Sequence, residues 1–130
     1  MTTPFWCLLV AVLIPYVLAM TGGYFKMRQL GSVDNKDPRA QAAALEGAGA
    51  RAWAAQQNAW EALPVFASAV FIAHLAGADP GRSATAALVF VVARVLHPVA
   101  YIANVDVARS LVFLVGFGSC IWLFALAAQA

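Results

Sequence analysis

Four long apolar runs organise the chain. The first extends from Phe5 to Phe25 without a charged side chain, and the others lie over about residues 58–75, 84–103 and 108–128. About 20 apolar residues cross the roughly 30 Å hydrocarbon core of a bilayer as an α-helix, so each run predicts a membrane-spanning helix. The first run is longer than the apolar part of a signal peptide and no Lys or Arg precedes it. We therefore interpret it as a retained helix.

A polar segment of charged and Ala-rich sequence separates the first two apolar runs. From about Pro38 its composition favours a helix that begins outside the bilayer and continues into it. Turn-forming stretches, GADPGRS and NVD, separate the remaining runs. The sequence thus predicts an all-α protein, a four-helix transmembrane bundle with up-down topology in a single domain over residues 1–130. The predicted helices cover about residues 5–25, 39–76, 84–104 and 108–128.

Composition agrees with a membrane protein, because 63% of the residues are hydrophobic and only 11% are charged. A soluble domain has roughly 25% charged residues. The net charge of +2 is small and no basic-aromatic patch occurs, so no nucleic-acid partner is expected. No His or Cys spacing typical of a metal site occurs. Cys7 and Cys120 lie in apolar runs, which favours packed thiols, with a disulfide between them as the alternative.

The positive side chains predict the orientation of the bundle in the membrane. Lys26, Arg28, Lys36 and Arg39 lie in or beside the first loop, whereas the second loop carries only Arg82. Lys and Arg are enriched in cytoplasmic loops. We therefore expect the first and third loops on the cytoplasmic side and both termini on the other side.

Polar side chains of three predicted helices meet at one depth of the membrane. At about 1.5 Å per residue, Glu61 lies roughly 21 Å below the outer edge and His97 lies roughly 20 Å below it. The group in the cytoplasmic half consists of Asn58, Glu61, Arg94, His97, Tyr101 and Arg109. A charged group at the centre of a spanning helix costs roughly 2.5–3.5 kcal/mol, so this group should face other helices or a ligand.

Simpler interpretations exist for single members of this group. Glu61 and Arg94 can form an interhelical ion pair that fixes packing. His97 alone is typical of a hydrogen-bonded core histidine, and Tyr101 alone is typical of an interfacial anchor. Six polar groups on three helices exceed what one ion pair requires, which favours a ligand site.

Three motifs carry a resemblance to a known family. The first has the spacing R-x-x-x-x-x-x-N-x-x-E-x-x-P-x-F, formed here by Arg51, Asn58, Glu61, Pro64 and Phe66. The second is ARVLHPVAY, with Arg94, His97 and Tyr101, and the third is VARS, with Arg109 and Ser110. Together they resemble the membrane-associated proteins in eicosanoid and glutathione metabolism (MAPEG). That family includes microsomal glutathione transferases and the leukotriene-C and microsomal prostaglandin-E synthases. The loop sequence DNKDPRAQ resembles bacterial members.

The resemblance implies a homotrimer that binds glutathione between neighbouring subunits. The residues that it implies for glutathione are Arg28, Arg51, Asn58, Glu61, Arg94, His97, Tyr101 and Ser110. It implies that Arg109 is the catalytic residue and holds the glutathione thiol as a thiolate, which a nearby cation favours. The partners would then be membrane lipids, other copies of the chain and a lipophilic small molecule, either an electrophile or a lipid hydroperoxide. For a bacterial member, the expected location is the inner membrane with periplasmic termini.

Departures from the family pattern leave two hypotheses of different classes. Active relatives usually carry another Arg one or four residues before the Asn, and those two positions are Gln57 and Ala54 here. The spacing from Tyr101 to Arg109 also differs by about one residue. The first hypothesis is a glutathione-dependent transferase or peroxidase. The second is a non-catalytic membrane protein that uses the scaffold for oligomerisation or for binding a lipid-like ligand. A four-helix drug exporter is disfavoured, because the first helix has no ionisable side chain at its centre.

Overall fold

The computed structural model describes residues 1–130 and contains five helices and no strand. They are α1 (Thr3–Leu30), α2 (Pro38–Ala43), α3 (Gly47–Ala76), α4 (Pro80–Ile102) and α5 (Asp106–Ala128). All except the short α2 are long and apolar enough to cross a membrane. The predicted all-α architecture with four spanning helices is therefore confirmed.

The prediction of one continuous helix over residues 39–76 is wrong. The structure ends α2 at Ala43 and begins α3 at Gly47, which has the positive φ of 51°. The side-chain amide of Gln29 holds the break, since it accepts a hydrogen bond from the Glu46 N–H at 3.0 Å and donates one to the Glu46 carbonyl at 3.1 Å. These contacts come from the end of α1, so the local Ala-rich sequence contains no sign of them.

The other helix ends differ from prediction by a few residues. α1 continues past its predicted end to Leu30, where Gly31 adopts a left-handed conformation with φ of 77° and terminates the helix. α4 begins at Pro80, before its predicted start, because Asp79 caps it. The Asp79 carboxylate accepts a hydrogen bond from the Arg82 N–H at 2.7 Å.

Small side chains allow the helices to approach one another closely. The main core cluster contains six alanines among its members: Cys7, Ala11, Phe66, Ala69, Val70, Ala73, Ala78, Ala86, Ala87, Phe90, Cys120, Leu123 and Leu126. The rings of Phe66 and Phe90 stack at its centre, with 3.7 Å between their centroids. Cys7 and Cys120 are buried free thiols, as the favoured interpretation expected. Small residues at helix contacts are typical of membrane bundles.

The arrangement of the helices decides where a site can form. α1 and α5 each pack against both α3 and α4. The motif residues of α3 and α4 that face α5 therefore lie close to the first turns of α5.

Candidate functional site

Two adjacent cavities lie between α3, α4 and α5. The deep cavity has a volume of about 250 Å³, and its polar lining residues are Asn58, Glu61 and Arg94. The end cavity has a volume of about 390 Å³ and lies towards the end of α4 and the start of α5; its polar lining residues are Asn58, His97, Tyr101, Arg109 and Ser110. Asn58 and Phe113 line both cavities, so the two are neighbours.

Arg94 finds its partner on the neighbouring helix α3. Its Nη2 atom donates a hydrogen bond to the Asn58 Oδ1 atom at 2.8 Å, and the Arg94 side chain is only 4% exposed. Glu61, in contrast, lies on the exposed side of α3. The structure therefore gives Arg94 an amide partner in place of the ion pair with Glu61, and the Glu61 carboxylate is left to face another molecule.

Three side chains pack against one another beside the end cavity. The Arg109 Cζ atom lies 4.6 Å from the centroid of the Tyr101 ring, which is a cation–π contact. The Tyr101 ring in turn meets the His97 ring edge-on at 5.6 Å. The tight turn between α4 and α5, in which Asn104 has a φ of 62°, brings Arg109 to this position. The sequence left the register of Arg109 open. In the structure, the Arg109 side chain faces the Tyr101 ring.

His97 carries a buried polar atom without a partner. The residue is 2% exposed, and its Nδ1 atom has no hydrogen bond. Buried polar atoms in proteins are nearly always hydrogen-bonded, so an orphaned one requires an explanation. Since His97 lines the end cavity, a polar group of a ligand there is a chemically suitable partner.

Two of the arginines expected at the site lie outside both cavities. The Arg51 Nε atom donates a hydrogen bond to the Ile102 carbonyl at 3.0 Å, which satisfies a carbonyl at the end of α4. Arg28 is exposed near the end of α1, with its guanidinium 6.0 Å from the Tyr24 ring centroid. Within one chain, neither arginine joins the cluster around Arg109.

The apolar walls of the deep cavity were not predicted from the sequence. Phe90, Phe113, Phe117 and Cys120 line it. The sequence does contain a signal for this wall. At helical spacing, one face of α5 carries Arg109, Phe113, Phe117 and Cys120. No group of three or more His, Cys, Asp or Glu side chains is placed to hold a metal ion.

The chain is similar to one known protein family over almost its whole length. The model of the MAPEG family matches residues 3–129. This chain belongs to the MAPEG family. No curated protein sequence matches it. Because the match includes all four helices that can cross a bilayer, the chain is an integral membrane protein.

The site residues that the sequence predicted divide into two sets in this structure. Those that line the deep or end cavity are Asn58, Glu61, Arg94, His97, Tyr101, Arg109 and Ser110. Those that lie elsewhere are Arg51 and Arg28. The lining set combines cations, a carboxylate, an amide and hydroxyls, and therefore offers partners to a small polar molecule that carries charges of both signs.

Proposed function

We propose that this MAPEG protein binds glutathione across the adjacent deep and end cavities and activates its thiol towards a lipophilic electrophile. The observation that carries the proposal is the end cavity, where the Arg109 guanidinium stacks on Tyr101 beside the unpartnered Nδ1 atom of His97. The MAPEG family generally uses glutathione, and its motif residues converge here.

The charges of glutathione match the lining. Its ammonium suits the Glu61 carboxylate, and its carboxylates suit the N–H groups of Arg94 that Asn58 leaves free, since one guanidinium offers five donors. Ser110 and the His97 Nδ1 atom would bind its remaining polar groups. These contacts would direct the cysteine of glutathione towards Arg109.

Arg109 would make the thiol reactive. A nearby cation lowers a thiol pKa from about 8.5 and so increases the thiolate fraction at neutral pH. The thiol proton passes to water. The thiolate sulfur then forms a bond to an electrophilic carbon and expels its leaving group. With a lipid hydroperoxide it would instead attack the terminal peroxide oxygen, which breaks the O–O bond and releases the lipid alkoxide, protonated by water to the alcohol. The glutathione sulfenic acid formed in this way would react with a second glutathione to give the disulfide and water. Phe113 and Phe117 provide an apolar wall beside the sulfur for such a substrate.

Glu61 supports the proposal that the working unit is a homotrimer. An exposed carboxylate in the interior of a spanning helix costs roughly 2.5–3.5 kcal/mol against lipid. A neighbouring copy of the chain would cover this face and close the cavities from the side. Arg28, which serves neither cavity in its own chain, would then reach the site of a neighbour.

The orientation of the bundle forms part of the same proposal. Lys36, in the loop after α1, and Arg39, in α2, lie at the same end of the bundle as Arg109. In a bacterial inner membrane, the bias of Lys and Arg towards the cytoplasm would place the glutathione site on the cytoplasmic side and both termini in the periplasm. Cytoplasmic glutathione would then have direct access to the end cavity.

A second candidate is a non-catalytic MAPEG protein that binds a lipid-like ligand. The observation in its favour is that Arg51 is engaged by the Ile102 carbonyl, while Gln57 stands where relatives carry an Arg. Both features reduce the number of cations available to the glutathione carboxylates.

Calorimetric titration of reduced glutathione into the purified protein in detergent tests the proposal. We expect saturable binding that Glu61→Gln weakens and Glu46→Gln leaves unchanged, because Glu46 makes its contacts through its backbone. We expect the thiolate absorbance of bound glutathione to disappear in Arg109→Leu and to persist in Arg82→Leu, which changes an arginine at the other end of the bundle. Native mass spectrometry should show a trimer.

Each alternative result has a clear meaning. A folded trimer without detectable glutathione binding would exclude the enzyme and favour the lipid-binding candidate. Binding without a thiolate in the wild-type protein would leave glutathione as a ligand and remove the role of Arg109.

A further inference from the structure

A cavity of about 560 Å³ lies at the opposite end of the bundle, and we call it the opposite-end cavity. The start of α1, the end of α3, the start of α4 and Leu123 of α5 line it. Ser83 on α4 lies in its wall, 18 residues before Tyr101, which corresponds to roughly 27 Å along the helix. The opposite-end cavity is therefore separate from the proposed glutathione site.

Ser83 has a buried hydroxyl group without a partner. The residue is 7% exposed, and its Oγ atom makes no hydrogen bond. Three other helical hydroxyls, those of Thr21, Thr85 and Ser119, each donate to the carbonyl one turn earlier. An unpartnered buried hydroxyl is unfavourable, so the Ser83 hydroxyl is available to a polar group that enters the cavity.

The rest of the lining defines what kind of molecule fits. The buried side chains of Val70, Ala73 and Leu123 form an apolar wall. The exposed His74, whose ring rests edge-on against Phe5 at 5.0 Å, adds a second hydrogen-bonding group. This combination suits a molecule with one polar head and an apolar chain.

The charge around the cavity selects the head group. The start of α4 would attract an anion, but the Asp79 carboxylate already occupies that position and accepts the Arg82 N–H. Asp79 lies between Ala78 and Pro80, which both line the cavity, so its carboxylate opposes an anionic head. The Met1 ammonium lines the cavity and opposes a cationic head, and no carboxylate is among the lining residues to hold one. We infer that the opposite-end cavity binds the uncharged, hydrogen-bonding head of an amphiphile, with the Ser83 hydroxyl as its partner.

Three probes with one chain length and different heads test this inference. We would add dodecanoylglycerol, dodecyl phosphate or dodecyltrimethylammonium to the full-length protein in phosphatidylcholine nanodiscs, and measure the thermal midpoint against probe concentration. A ligand of the native state raises the midpoint in proportion to its occupancy. We expect a saturable rise with dodecanoylglycerol that is stronger than with either charged probe. In Ser83→Ala the apparent affinity should fall about fivefold, the effect of one hydrogen bond.

Two further variants serve as controls. Ser119→Ala removes a hydroxyl of similar burial that is bonded within its own helix, to the Val115 carbonyl, so probe affinity should stay unchanged. Ala84→Leu adds volume inside the cavity and should weaken binding although Ser83 is intact. Without a probe, Ser83→Ala should be at least as stable as the wild-type protein, because it removes an unpartnered group.

Several outcomes would overturn the inference. These are equal affinity of the wild-type protein and Ser83→Ala, stronger binding of a charged probe, and a response that never saturates. Destabilisation of probe-free Ser83→Ala would also overturn it, since the hydroxyl would then have an internal partner. Glutathione titration of the same variants is independent of all these results.

Discussion

At the scale of a single residue, Asn58 links the deep cavity to the end cavity of the candidate site. Its side chain lines both the deep and the end cavity, and its Oδ1 atom accepts the hydrogen bond of Arg94. The Arg94 guanidinium is buried in the interior of a spanning helix, where an uncompensated charge is costly. Asn58 therefore stabilises the bundle and shapes the site.

Replacement of Asn58 by alanine should destabilise the protein. A hydrogen bond to a charged group contributes about 1.5–3 kcal/mol, and Asn58→Ala leaves the buried Arg94 without its acceptor. Thermal unfolding in detergent, followed by circular dichroism, should show a lower midpoint. Gln57→Ala, on the exposed side of the same helix, is the matched control and should change the midpoint little. Equal midpoints for the two variants would show that the hydrogen bond does not stabilise the fold.

The break between α2 and α3 is the main feature at the scale of elements. Gln29 from α1 binds both backbone groups of Glu46 at this break. Close by, Gly49 brings α3 near α1, so that a Cβ atom on it would lie 2.9 Å from the Gln29 Nε2 atom and 3.1 Å from the Phe25 Cβ atom. The absence of a side chain at residue 49 thus allows Gln29 to hold the break.

Gly49→Ala should weaken this junction. Overpacking costs about 1–3 kcal/mol, which exceeds the gain of about 1 kcal/mol that alanine brings over glycine within a helix. The measurement is the thermal midpoint in detergent, together with proteolysis of the loop around residues 31–37. Gly118→Ala is the control, because its new Cβ atom would meet nothing within 4 Å. It should raise the midpoint or leave it unchanged, and a similar rise in Gly49→Ala would contradict the prediction.

At the scale of the whole molecule, one core separates the two ends of the bundle. Its central contact is the stack of Phe66 on α3 and Phe90 on α4. The end cavity lies beyond it towards the end of α4, and the opposite-end cavity lies on the other side of it. Within a membrane, packing of this kind supplies much of the association between helices.

Phe66→Ala should therefore destabilise the entire bundle. Phe66 is fully buried, and Phe→Ala changes in packed cores cost about 3–5 kcal/mol. Phe71→Ala removes the same side chain at a position that is 48% exposed, and its effect should be much smaller. Unfolding by denaturing detergent, monitored by tryptophan fluorescence, compares the two variants. Similar losses in both would show that the Phe66–Phe90 stack is not central to stability.

The sequence alone determined the class of the protein. Four apolar runs of spanning length require four helices, because a backbone in lipid must satisfy its own hydrogen bonds. Helical periodicity also placed Asn58, Arg94, His97 and Tyr101 at one depth, and the structure brings all four to the two adjacent cavities. These features depend on local composition and spacing, which a sequence contains in full.

Only the tertiary structure decided the partners of the polar groups. The same motif that contains Asn58 contains Arg51, yet one binds Arg94 and the other binds a carbonyl at the end of α4. Gln29 binds at a helix break that the sequence did not predict, and the buried Ser83 hydroxyl lacks the partner that the buried Ser119 hydroxyl has. A hydrogen bond forms only when two groups lie within about 3 Å in a suitable direction. That distance depends on how separate helices pack, and helical spacing along one segment does not specify it.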